Sequence, residues 1–224
     1  MQKENQNRSS IQEYDFNIIE MLKAGFQRIE GVKAIFLASF IVYMVIVILL
    51  QIILGIFFPS VPNNPNLVNE QIVTILSYPV VMPIMAGIMM MAINYSRGET
   101  LEFKSIFNYY HLMGKLALAG ILIYIMTVIG FILLILPGIY LSIAYIFTFP
   151  LIVDKGMNVW DAMELSRKSV TKHWFKIFGL FLILTLFMVV GILTFGIGLI
   201  WAVPLMFVTL YGLLYPMIFD EVND

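Results

Sequence analysis

Hydrophobic and polar positions are sorted along this chain into long blocks, not short alternations. No charged side chain occurs from Ala34 to Asn69, from Gln71 to Ser96, from Leu116 to Val153, or from Ile177 to Phe219. A helix needs about 20 apolar residues to cross a bilayer core of roughly 30 Å. The first two blocks fit one crossing each. The last two are about twice that length, and each has a turn signal near its middle, Pro137-Gly138 and Thr194-Phe195-Gly196. The pattern predicts six transmembrane helices: Ala34–Phe58, Ile72–Ile93, Leu116–Leu136, Gly138–Val153, Trp174–Thr194 and Ile197–Phe219. The first apolar stretch is too long for a signal-peptide core and no A-x-A-type cleavage site follows it, so a retained span is expected.

A short amphipathic segment precedes each pair of spans. In the first, Ile18, Leu22, Gly25, Phe26, Ile29 and Val32 recur at helical spacing, opposite Glu20, Lys23, Gln27 and Glu30. In the second, Phe103, Ile106, Phe107 and Tyr110 form the apolar stripe. In the third, Val159, Ala162, Met163 and Val170 face away from Asp161, Glu164, Lys168 and Lys172. Asn158 stands where it can cap this third helix, with Asp161 at the acidic position of a capping box. Such segments are expected to lie in the membrane interface, at a depth that suits Trp160 and Trp174.

The predicted fold class is therefore all-α: a polytopic membrane protein of six spans in three hairpins, each preceded by an interfacial amphipathic helix. In residue numbers this gives a polar cytoplasmic tail 1–17, units 18–95, 97–153 and 154–219, and an acidic cytoplasmic tail 220–224, all in one membrane domain.

The three units repeat further features. Lys33, Lys115 and Lys176 each open a hairpin. Spans one, three and five contain no proline, whereas spans two, four and six contain Pro79 and Pro83, Pro150, and Pro204 and Pro216. The ends of spans four and six align, with Tyr145, Pro150, Ile152 and Asp154 matching Tyr211, Pro216, Ile218 and Asp220. Internal repeats of this kind are common in membrane folds.

Charge sets the expected orientation. All 13 Lys and Arg residues fall before span one, between spans two and three, or between spans four and five. Cationic loops face the cytoplasm, which places both termini there and leaves only short loops outside. The composition, 61% hydrophobic and 12% charged with net charge −1, excludes a nucleic-acid partner. The absence of cysteine excludes disulfides and thiolate chemistry.

Candidate chemistry is sparse. There is no H-E-x-x-H, P-loop or G-x-S-x-G motif, and Gly196-Ile-Gly198 reads as a turn or close packing. The only histidines, His111 and His173, sit a few residues before spans; an enzyme would need them to converge with Asp154 and Asp220 on one pocket. No ionisable residue lies within a span, and Gln51 is the only amide well inside one. Asp154 and Asp220 end spans, where the helix dipole disfavours an acid. The expected partners are the hairpin lysines, giving structural ion pairs Lys115–Asp154 and Lys176–Asp220. Pro83, Pro150, Pro204 and Pro216 are candidate helix hinges, and Arg167, Lys168 and Lys172 candidate lipid-headgroup contacts. No catalytic, cofactor or metal residue is assigned.

The stretch Leu134-Ile-Leu-Pro-Gly-Ile-Tyr-Leu141, then Phe149-Pro-Leu-Ile-Val-Asp154, then Trp160-Asp-Ala-Met-Glu-Leu-Ser-Arg-Lys-Ser169 resembles a large group of uncharacterised bacterial multi-span proteins. That group includes the membrane domain joined to some glycerophosphodiester phosphodiesterases. The resemblance covers about the last 130 residues, from Arg97-Gly98-Glu99 onward. It implies a bacterial plasma-membrane protein and brings no activity, because the soluble phosphodiesterase domain has no counterpart here. The function expected is a non-enzymatic scaffold, accessory or lipid-interacting module, or, as the alternative, a transporter or channel for a lipid-like or uncharged amphipathic substrate. The expected partners are membrane lipids and a protein at the cytoplasmic face, with self-association left open.

Overall fold

The computed structural model describes residues 13–58 and 67–220. Lys3, Arg8, most of the loop before Glu70 and the acidic residues after Asp220 lie outside the described residues. Among those described there is no strand. Helix α1 spans Ile18–Arg28, α2 Lys33–Phe57 and α3 Leu67–Ser96. Two 3-10 turns, Phe103–Phe107 and Tyr110–Leu112, lead into α4, Met113–Leu133. Then follow α5 Ile135–Ala144, α6 Thr148–Asp154, α7 Val159–Lys172, α8 Trp174–Leu193 and α9 Leu199–Phe207. A π-helical stretch, Val208–Leu214, joins α9 to α10, Tyr215–Phe219. Among the described residues six helices are long and apolar enough to cross a membrane: Lys33–Phe57, Asn69–Ser96, Phe103–Leu133, Ile135–Asp154, Trp174–Leu193 and Leu199–Phe219. The protein is an all-α, multi-pass membrane protein.

Proline sorts these spans into two layers. Half of the apolar window is buried in spans two and four and 72% in span six, against 0%, 28% and 22% in spans one, three and five. A proline frees the carbonyl four residues back, and in lipid that carbonyl needs a protein neighbour. The proline-bearing spans are accordingly the inner ones, and the proline-free spans face outward. The inner three meet one another. A β-carbon at Gly212 of span six would stand 2.9 Å from the Ala92 carbonyl oxygen of span two. The Phe147 ring of span four lies against Tyr211, Tyr215 and Phe219 of span six, and α3 packs on α6.

The prolines act differently. Pro79 and Pro83 sit inside one unbroken 30-residue helix. Span four breaks at Tyr145–Phe147, just before Pro150 in the first turn of α6. In span six the π-helical stretch lies between Pro204 and Pro216.

Each amphipathic segment packs its small or apolar face onto an inner span. In the first, a β-carbon at Gly25 would collide with Thr209 Oγ1 of span six. In the second, a β-carbon at Gly87 of span two would collide with the backbone of Ile106. In the third, Ser166 Oγ donates to the Ala144 carbonyl at 2.7 Å and accepts from the Phe147 N–H at 3.2 Å. Those two groups flank the break in span four. Each unit's segment thus grips the inner span of the unit before it, and the first grips the third, which closes a ring. Tyr14, whose hydroxyl donates to the Ser169 carbonyl, adds a tie from the N-terminal tail to the third unit.

Three local expectations are corrected. The second segment forms 3-10 turns instead of an α-helix. Asn158 takes the N-cap position of α7 with no side-chain capping bond, whereas Asn17 does cap α1, accepting from Ile19 N–H at 2.9 Å. The second hairpin turns at the extended residue Leu134, and Pro137-Gly138 lies inside the first turn of α5. At that position proline removes no intrahelical bond. The Thr194–Gly196 turn forms as expected, with φ of 55° at Phe195 and 84° at Gly196.

Candidate functional site

The inner spans converge at one end on a charged node. Arg97 follows the last turn of α3, Asp154 ends α6, and Asp220 caps the C-terminus of α10. Arg97 thus follows the end of span two, as Asp154 and Asp220 stand at the ends of spans four and six. The chain leaves the node through glycines at positive φ, Gly98 at 86° and Gly156 at 63°, which only glycine adopts without strain.

Arg97 forks both carboxylates. Its Nη1 and Nη2 donate to Asp154 Oδ1 and Oδ2 at 2.7 and 2.9 Å. Its Nε and Nη2 donate to Asp220 Oδ2 and Oδ1 at 2.9 and 2.6 Å. Lys155 Nζ lies 3.3 Å from Asp220 and 3.6 Å from Asp154, and the Tyr215 hydroxyl donates to Asp154 Oδ2 at 2.9 Å. The side chain of Asp154 is only 11% exposed, and that of Arg97 28%. The paired carboxylates hold the Arg97 guanidinium well above its usual range, Asp154 first and Asp220 next. Two acids and two bases leave the node neutral. The cations also offset the unfavourable placement of both acids at helix C-termini.

The expected pairing of these acids is therefore wrong in its partners. Lys115 is exposed and has no carboxylate within 4 Å among the described residues, and Lys176 pairs with Asp15. The hairpin lysines open the outer spans, while the aspartates end the inner ones, so the two sets lie in different layers. The Asp15 carboxyl is held below its usual range by the hydrogen bond from Lys176. Arg97 was visible only as one cation among many, and placing the end of span two beside the ends of spans four and six would have singled it out.

The remaining candidates lie apart from the node. Arg167 donates to both oxygens of Glu164 at 2.8 Å, and Lys168 approaches Glu164 at 3.2 Å. Lys172 is exposed, as is Gln51. His111 Nδ1 sits 2.9 Å from the Asn108 carbonyl. His173 meets the Tyr14 ring edge-on and lies 3.9 Å from Asp15. Neither histidine has a hydrogen bond or ion pair with Asp154 or Asp220. No group of three or more acidic or histidine side chains suited to a metal occurs among the described residues. Near the node, a hollow of about 450 Å³ is lined by Asn94, Glu99, Glu102, Asn108 and Tyr109 among others. A second of about 190 Å³, walled by apolar residues and glycines, lies between α1, α8 and α9.

No protein-family model, curated protein or solved structure matches the chain. The class defined by fold and site is a multi-pass membrane protein whose three inner helix ends are clamped by one arginine.

Proposed function

We propose that this is a non-enzymatic module of a bacterial plasma membrane, with both termini cytoplasmic, that organises lipids or seats a partner at its cytoplasmic face. One observation carries the reading. The inner spans bury apolar side chains against one another, among them Ile84, Ile88, Phe147, Leu151, Val208 and Leu210, with the hydroxyls of Thr148 and Thr209 also buried there, while charged groups gather in a self-neutralised node at one end. Packing of this kind favours a static scaffold. The cation distribution supports the cytoplasmic orientation, and the turn and span-end motifs support kinship with the bacterial family named above.

The test is purification in native lipid, with identification of what accompanies the protein. A protein or lipid retained in stoichiometric amount supports the module. Substrate flux in proteoliposomes, dependent on the intact chain, would overturn it. A reporter fused after Asp224 should be active in the cytoplasm; activity on the outer face would refute the orientation.

Transport of a lipid-like molecule is the second reading. The break at Tyr145–Phe147 and the π-helical stretch in span six favour it, since discontinuous helices are recurrent moving parts of transporters.

A further inference from the structure

The ring closes where α1 of the first unit reaches the third hairpin, and closure there is incomplete. Between α1, α8 and α9 a crevice of about 190 Å³ remains. Its floor is made by Gly191 and Gly198, which approach so closely that a β-carbon on Gly198 would stand 2.7 Å from Gly191 Cα. The absence of side chains at both positions is what lets the two helices approach this closely. Its walls include Phe26, Phe187, Val190 and Trp201, from 38% to 55% exposed, so the crevice opens on the outward, lipid-facing side.

One cation stands at its edge. Lys33 Nζ lies 5.5 Å from the centroid of the Trp201 ring. Its only carboxylate within reach among the described residues is Glu30, at a loose 3.9 Å and 81% exposed. Of the three lysines that open hairpins, Lys176 is already paired with Asp15, and Lys33, though not itself a wall residue, is the one that stands over a wall residue, Trp201. Lys33 alone joins a weakly neutralised charge to an apolar hollow facing the bilayer.

We propose that this crevice holds an acyl chain of one anionic phospholipid, with the Lys33 ammonium against the headgroup phosphate. The inference rests on the lipid-interacting reading above and names the lipid class and the seat. An apolar slot with a cation at its rim matches a lipid that is apolar along its chain and negative at its head. Glu30 competes with the phosphate for the same ammonium.

The test is native mass spectrometry of the full chain released from nanodiscs of equal phosphatidylglycerol and phosphatidylcholine. Wild type should retain one phosphatidylglycerol in preference to phosphatidylcholine. Lys33→Gln should lower that retention roughly fivefold, the factor one interfacial lysine confers. Glu30→Gln, at an exposed position that does not threaten folding, should raise it. Val190→Trp, which fills the slot from its lipid edge, should abolish retention of either lipid. If wild type retains phosphatidylglycerol and all three variants leave it unchanged, the crevice assignment falls while the lipid-interacting reading stands. If wild type retains neither lipid, both fall. If Val190→Trp changes only the ratio of monomer to dimer, the crevice is a contact between copies and the proposal is overturned.

Discussion

Arg97 decides more than any other side chain. It bonds both Asp154 and Asp220, each with two hydrogen bonds, where Lys155 approaches the same two acids only at 3.3–3.6 Å. Replacing it leaves two carboxylates at helix C-termini, one of them 11% exposed, with only Lys155 and the Tyr215 hydroxyl to meet them. Breaking a buried pair costs about 3–5 kcal/mol, and partial exposure reduces this to on the order of 2–3 kcal/mol. Arg97→Gln should lower the melting temperature in detergent accordingly. Arg97→Lys should recover only part of the loss, because an ammonium cannot fork two carboxylates. Full recovery would show that charge alone suffices. A second residue-scale prediction concerns pH. Arg167 chiefly, with Lys168 adding to it, holds the Glu164 carboxyl down from 4.5 to about 2. Its folded value is depressed, so its contribution is present above about 4.5 and lost as pH falls towards about 2. Glu164→Gln should flatten that acid limb of the melting profile, and an unchanged limb would assign it to other groups. The repeat made both node aspartates legible in the sequence. Their partner was not, because each hairpin lysine opens at the same predicted membrane surface as the acids, and sharing a surface does not fix distance in space.

Among the elements, the break in span four shows how a weak place is repaired. Tyr145–Phe147 leaves the Ala144 carbonyl and Phe147 N–H without their regular helical partners, and Ser166 of α7 takes both. Ser166→Ala should cost about 1–3 kcal/mol, the penalty for buried groups left unpaired, seen as a lower melting temperature. Ser166→Cys, close to serine in size but a much weaker hydrogen-bond partner, should do no better; if it does, packing and not hydrogen bonding is what Ser166 supplies. Gly87 makes a second element-scale test. Gly87→Ala places a methyl on the Ile106 backbone and should loosen the 3-10 turns from α3, measured as faster amide exchange over Phe103–Phe107. The proline asymmetry was legible in the sequence, but the inner and outer layers it marks were not. The 3-10 form of the second segment was not, since apolar spacings of three and four over eight residues fit either helix.

At the scale of the whole molecule, stability rests on a closed ring in which every unit's segment grips another unit's inner span. Fragments 1–156 and 157–224, co-expressed, should therefore associate and co-purify, because the second meets the first through Ser166 and through Thr209 against Gly25. Gly25→Leu should weaken that association by colliding with Thr209, and failure of the wild-type fragments to assemble would contradict the ring. The sequence alone determined the six spans, the three units, the proline asymmetry and the two span-end aspartates. These follow from apolar run length, charge and backbone chemistry, which act locally and leave a local record. Only the tertiary structure decided which helices form the axis, that the amphipathic segments clasp inner spans, and that Arg97 joins the two acids. Those outcomes depend on close approach at Gly25, Gly87 and Gly212 and on the convergence of helix ends far apart in the chain, and such distances are set only when the packed whole exists.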